Sequence, residues 1–406
     1  MHEQELIPHL FRTESGKITT VLCKLFGFDN IEAAEDITSE TFMAALESWG
    51  YKGVPENPVA WLYFVAKNKA KNYFVRNRIF TENVLPQIKD DTAAAIPEIE
   101  IDLSDTNITD SQLKMLFAIC HPTIQAEAQI GLALRILCGF GIDEIANAFL
   151  TNKETINKRL FRAKEKLRTE KVQIAFPSET EITERLDNVL RTLYLLFNEG
   201  YYSESHDCLI REDLCLEAMR LTHMLLDYGP ANLPEVNALF ALMCLHASRF
   251  EARKNEKGEM VLYGDQDENL WNKELIARGA FFLKQSSRGN QISKYHIEAN
   301  IAFWNTIKED TKEKWENILQ LYNMLLKIEY SPIAALNRTF ALSKANGKME
   351  AIVEAEKLQL NNNHYYFTLL GELFKDINPM KSKENFEKAL ELAKTETEKR
   401  VIRGRL

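Results

Sequence analysis

Residues 141–171, GIDEIANAFLTNKETINKRLFRAKEKLRTEK, decide the fold. Ile142, Ile145, Ala146 and Phe149 fall on one face of a helix, a short polar turn follows at Leu150 to Asn152, and a second helical pattern runs through Lys171. Two helices joined by so short a turn form a helix-turn-helix. Ala146 lies where the helices cross, and its small side chain permits close approach. In the second helix Ile156, Leu160 and Ala163 supply the inward face. Asn157, Lys158, Arg159, Phe161, Arg162 and Lys164 lie opposite, and from Lys153 to Lys171 eight basic residues outweigh three acids. A recognition helix needs such an outward face, polar and cationic, to reach base edges and phosphates. A surface helix of an ordinary bundle also ends in lysine and arginine, for dipole reasons, so the neighbouring segments must arbitrate.

Upstream, charge is unevenly distributed. Pro58 to Phe80 holds five basic residues and no acid, whereas Glu82 to Asp110 holds eight acids and one lysine. The acidic stretch has two prolines and no sustained helical period, which predicts a linker over 81–110 between domains at 1–80 and 111–172. Before it, Ala33 to Trp49 puts Ile37, Phe42, Ala45, Leu46 and Trp49 on helical spacing, and Gly50 to Pro58 breaks the pattern. The following segment, WLYFVAKNKAKNYFVRNRIF, mixes aromatics with lysines and asparagines, as a surface meeting bases and phosphates would. It equally fits a half-buried amphipathic helix with a solvated basic side.

The 406 residues exceed what one core usually supports, and glycine plus proline, 16 and 11, are too few for turn-dense β folds. An all-α chain of several domains follows. The net charge of −9 argues against coating nucleic acid by bulk charge. Six cysteines without C-x-x-C spacing read as reduced, buried thiols in a cytoplasmic protein, and neither a signal pattern nor a long apolar run appears. No metal, cofactor or catalytic motif is expected.

In order, D-x-x-x-E-T-F (Asp36, Glu40, Thr41, Phe42), W-L-Y-x-x-A-x-N-x-A-K-N-Y (Trp61 to Tyr73), an acidic linker and E-I-A…T-I-x-x-R-L-x-R-A-K (Glu144 to Lys164) resemble an extracytoplasmic-function RNA polymerase sigma factor of the sigma-70 family. Leu113 to Arg135 and the long C-terminal extension are similar to the ECF42 group, whose extension is helical and tetratricopeptide-like. The resemblance implies that Asp36, Glu40 and Phe42 contact the clamp helices of the polymerase β′ subunit, with the β flap a further polymerase partner. It implies that Asn68, Lys71, Asn72 and Tyr73 meet unstacked minus-10 bases and phosphates of promoter DNA, while Trp61 suits either packing or DNA. Asn157, Lys158, Phe161, Arg162 and Lys164 become minus-35 readers or phosphate anchors, and Arg159 is alternatively a support for the helix. The linker would mimic nucleic acid in the polymerase cleft or act as a solvated tether. Leu150 departs from the glycine many relatives place in the turn.

Residues 173–406 are helical by pattern. Leu370, Gly371, Phe374, Phe386 and Ala389 show tetratricopeptide-like spacing, with a weaker copy from Ser331 to Leu358, and the resemblance casts this domain as a regulator. Asp265 and Asp267 before Trp271 read as helix-capping acids, and Asn198 to Tyr202 with His206 and Cys208 as a glycine-bearing helix end. Two rivals are a one-component regulator binding duplex DNA alone and a tetratricopeptide scaffold whose basic helices are incidental.

Overall fold

A computed structural model describes residues 3–77, 101–149, 151–201, 211–255, 261 and 263–406. Among these the chain is all helix, without a strand, and it forms two units, Met1–Leu195 and Leu196–Leu406.

The first unit begins with α1 (Glu3–Phe26), α2 (Ile31–Lys52) and α3 (Pro58–Asn77). Alpha2 buries Ile31, Ala34, Ile37, Phe42, Ala45 and Trp49, and Gly53 ends it at φ 79°, donating its N–H to the Trp49 carbonyl. Alpha3 turns Leu62, Ala66, Ala70 and Phe74 inward, a strict four-residue repeat whose two alanines let the helix lie close. Edge-on contacts of Phe11 with Phe42 and of Phe26 with Phe74, at 5.0 and 4.9 Å, join the three helices.

Of the expected linker, residues 81–100 lie outside the described residues, and its end differs from expectation. Ile101 and Leu103 are buried, and Asp105 opens α4 (Asp105–Ile119). The Ser104 hydroxyl caps α4, and Asp102 accepts from the Ser104 N–H at 2.8 Å. These acids therefore serve a helix N-terminus, where the dipole favours negative charge, rather than a tether. Next come α5 (Ala126–Leu132), a π-helical turn (Ala133–Leu137), α6 (Ile142–Ala148), α7 (Lys153–Thr169) and α8 (Glu179–Tyr201). Alpha8 starts in the first unit: Arg185 donates to the Phe117 carbonyl and Thr192 to Gln129, so the boundary falls near 195 rather than at 173.

The segments on either side of residues 78–100, expected as separate domains, form one unit. A Cβ on Gly16 of α1 would stand 2.4 Å from the Leu137 carbonyl oxygen, so only glycine allows this approach. Gly139, at φ +68°, ends the π turn with its α-carbon against Ser15.

In the second unit α9 (Glu212–Asp227), α10 (Pro234–Ala247), α11 (Lys273–Ser286) and α12 (Lys294–Trp304) come first. Alpha10 buries every residue from Val236 to Leu245, the mark of a helix surrounded by others. Helices α13 (Lys312–Ile328), α14 (Pro332–Ala345), α15 (Lys348–Leu358), α16 (His364–Phe374), α17 (Pro379–Leu392) and α18 (Glu396–Arg403) follow, each packed on the next. Gly371 faces the Phe386 ring, 2.8 Å from where a Cβ would stand, so a large and a small residue interlock α16 with α17. Asp267 caps a short 3-10 turn through Asn269, and Asp265 lies 3.9 Å from Arg405. Gly200 touches the Arg211 carbonyl and Cys215, while Tyr202, His206 and Cys208 lie outside the described residues.

Candidate nucleic-acid and polymerase interface

Alpha2 has two working faces. Asp36, Glu40, Met43, Leu46 and Glu47 follow helical spacing along the exposed side, with Met43 and Leu46 59% and 57% exposed. Glu40 accepts from Lys69 at 2.8 Å. Phe42 is not on this face. It is 4% exposed and packs on Phe11, so its place as a polymerase contact is corrected to a core residue, and Leu46, expected inward, is corrected to the surface. Met43, missed by the sequence reading, stands seven residues beyond Asp36, two turns along the same face.

Alpha3 exposes Phe64, Asn68, Asn72 and Val75 in one row opposite its buried alanines. Phe64, 63% exposed, is an aromatic platform that the sequence reading did not single out, although it lies one turn before Asn68. Lys71 is half-buried beside this row. Tyr73 is held inward, its ring 5.2 Å from Phe26 and its hydroxyl 3.4 Å from Asn30 Oδ1, which the hydrogen-bond geometry makes weak. Trp61 is half-buried against Trp49 at 5.4 Å. Burial and a hydrogen bond donated to Glu14 push the Tyr63 phenol far above its ordinary pKa, so Tyr63 is fixed and neutral.

The Asn152 side chain caps α7, accepting from the Thr155 N–H at 2.8 Å, and Thr151 N–H closes the turn onto the Ala146 carbonyl. Leu150, where the expected departure from relatives falls, lies outside the described residues. Ile156, Leu160, Ala163 and Leu167 are buried; Asn157, Lys158, Phe161 and Arg162 are exposed together on the opposite side. Arg159 is half-buried, its guanidinium 5.7 Å from the centre of the Phe149 ring.

Lys164 departs from this set. Expected outward, it is 8% exposed and donates to Glu35 Oε2 of α2 at 2.6 Å. Arg135 donates to the other Glu35 oxygen at 3.2 Å. One turn further along α7, Arg168 pairs with Glu32 and Glu165 and donates its Nε–H to the Phe28 carbonyl at 2.8 Å. Although burial opposes its charge, these carboxylates raise the Arg168 pKa. Burial, with Glu35 adding to it, pushes the nearby Cys23 thiol far up.

The first unit thus carries a helix-turn-helix and, on a separate helix, a row of outward aromatic and amide side chains. Comparison with known proteins narrows this. A sigma-70 region 2 family model matches residues 10–79, which span α2 and α3, and a family of unknown function, DUF6596, matches residues 185–287. An uncharacterized protein of Rhizobium meliloti (strain 1021) is 34% identical over 385 residues, covering 93% of this chain and 90% of its own length. No solved structure matches. The chain belongs to one family with this Rhizobium protein and, through its region 2, is a sigma-70 family sigma factor, a protein of transcription initiation.

Proposed function

We propose that the chain is a cytoplasmic sigma factor of the extracytoplasmic-function type, close to the ECF42 group, that joins core RNA polymerase and directs it to promoters. Asp36, Glu40, Met43 and Leu46 offer the polymerase an acidic and apolar stripe on α2. Phe64, Asn68, Lys71 and Asn72 meet unstacked minus-10 bases, where an aromatic face and amides replace the stacking and pairing that a melted base gives up. Asn157, Lys158, Phe161 and Arg162 read minus-35 duplex. The observation that carries the reading is the exposed row on α3: a duplex-only regulator has no use for a solvent-facing phenylalanine one turn before a run of amides and lysines. The second unit, with its tetratricopeptide-like helix pairs, regulates these steps through a protein partner or the chain itself. The polymerase supplies the chemistry.

Run-off transcription with purified core polymerase, the full chain and fragmented genomic DNA tests this. New RNA 5′ ends that share upstream elements, lost with Phe64→Ala/Asn68→Ala, are expected. No new start, together with tight duplex binding in the absence of polymerase, would replace the reading with a one-component regulator.

A further inference from the structure

Lys314 of α13 is 1% exposed, yet its ammonium meets only neutral acceptors: it donates to the Tyr263 hydroxyl at 2.9 Å and to the Ile307 carbonyl. Lys308 donates to the carbonyls of Tyr263, Gly264 and Gln266 at 3.2, 3.0 and 2.8 Å and so staples the turn at 263–266. Arg249, just past α10 and 7% exposed, holds its guanidinium 5.5 Å from the centre of the Tyr263 ring, and its Nε has no hydrogen-bond partner. Lys308 and Lys314 lie 5.6 and 5.1 Å from the same ring. Three cations thus surround one tyrosine, and among the described residues none of them has an ion-pair partner. The acid whose charge reaches Lys314, Asp310, is engaged by Lys344 at 2.9 Å and by the Trp315 indole.

Two further polar atoms are open here. Gln266, buried, donates its Nε2 to the Val261 carbonyl at 3.3 Å, which fixes the amide and leaves Oε1 without a donor. Trp271, also buried, stacks on Tyr263 at 6.4 Å with its Nε1–H unpartnered. The Asn272 N–H donates to the Ser248 carbonyl at 2.8 Å, which brings the chain at Trp271 beside the chain at Arg249. Buried polar atoms and charges are normally satisfied, because each gives up its hydration on folding. Here two donors, one acceptor and a surplus of positive charge are left over around one ring. Burial, with Lys308, Arg249 and Lys344 adding to it and Asp310 opposing, lowers the Lys314 pKa, so the cluster works against its own charge. Tyr263 and Lys308 are half-buried and form its solvent side.

We propose that this cluster of the second unit binds a small oxyanion that also carries a hydroxyl, hydrogen phosphate being the simplest. Arg249 and the Trp271 Nε1–H donate to the anion, and Gln266 Oε1 accepts from its hydroxyl. Lys308 and Lys314 supply charge, since their ammonium groups are directed to Tyr263 and to backbone carbonyls. A sulfate satisfies the cations and leaves Gln266 open; hydrogen phosphate, or a phosphate ester with a neighbouring hydroxyl, satisfies both. The second unit is thereby a receptor for a small molecule, whatever the first unit binds.

Thermal unfolding of the full chain in phosphate-free buffer tests this, with phosphate, sulfate and chloride added at matched ionic strength. At a dissociation constant of about 1 mM, about 10 mM phosphate raises the Tm by about 3 °C. Sulfate has no proton for Gln266, and binding about tenfold weaker gives about 1 °C. No rise above chloride overturns the site, and an equal rise in sulfate overturns the need for a hydroxyl. A larger response to glycerol 3-phosphate than to phosphate supports an ester as the ligand, and a smaller one supports the free ion. Arg249→Met locates the anion. It removes a buried cation that has no counter-ion, so the Tm without phosphate is expected to hold or rise while the phosphate response disappears. A response retained in this variant places the anion elsewhere and overturns the proposal. If Arg249→Met loses stability, Gln266→Glu, which keeps the shape and repels the anion, is expected to lose the response as well, and retention there overturns the proposal in the same way.

Discussion

Gly16→Ala places a methyl group 2.4 Å from the Leu137 carbonyl oxygen, 2.8 Å from its carbon and 3.2 Å from the Ile136 oxygen. All three atoms are backbone, so no rotamer change relieves the contact, and α1 must retreat by about 1 Å to reach ordinary van der Waals distance. Overpacking a tight contact costs about 1–3 kcal/mol, and a rigid backbone neighbour puts this site at the upper end. Alanine for glycine inside a helix returns about 1 kcal/mol. The net loss is about 2 kcal/mol, equivalent to roughly thirtyfold faster exchange of the amides that open with this contact. Hydrogen exchange of the full chain, followed in peptides spanning α1 and 133–137, measures it. Gly50→Ala is the control: nothing lies within 4 Å of its Cβ, so it gains helix propensity without a clash and slows exchange nearby. Slower or unchanged exchange in Gly16→Ala, matching the control in sign, would refute the claim that α1 seats directly on the π turn.

Arg162→Ala is expected to weaken promoter binding by about 1–3 kcal/mol and, if Arg162 meets a phosphate, to lower the salt slope by about one, in titrations at several salt concentrations. Burial, with the charges of Arg249 and Arg253 adding to it, holds the His246 pKa well below the usual histidine value of 6.5. The unfolded chain takes up a proton that the folded chain refuses, so stability is complete above pH 6.5 and falls below it, by up to about 1.4 kcal/mol per pH unit. Urea unfolding of the second unit at pH 7.0 and 5.5 should show this drop, smaller in His246→Gln; His296, also lowered by burial, adds with the same sign. Cys23, Cys120, Cys138, Cys215 and Cys244 are buried, and burial pushes the Cys120 and Cys244 thiols up to about 12. An aromatic disulfide reagent at pH 8 should therefore modify at most one thiol quickly and release the other five only in denaturant.

The helical class and the helix-turn-helix were legible because Ile156, Leu160 and Ala163 repeat at the period of one helix face and Asn152 is a good cap; both are local properties. The inward row of α3 was not, since Ala66 and Ala70 carry no hydrophobic signal of their own and are core only because a neighbour lies close. Phe42 and Met43 show the same limit. Both are apolar, they sit about 100° apart around the helix, and which is core depends on where Phe11 lies. The end of the linker was missed because acids that suit a tether suit a helix N-terminus equally well.

Residue types and periodicity by themselves determined the helices, the turn between α6 and α7, and an outward face carrying Asn157, Lys158, Phe161 and Arg162. Tertiary structure alone decided that Lys164 and Arg168 turn to Glu35 and Glu32 across more than a hundred residues of chain. The reason is physical: a helix period sets which way a side chain points, but whether a cation meets solvent, phosphate or carboxylate depends on the charge brought opposite it, and only folding brings that charge.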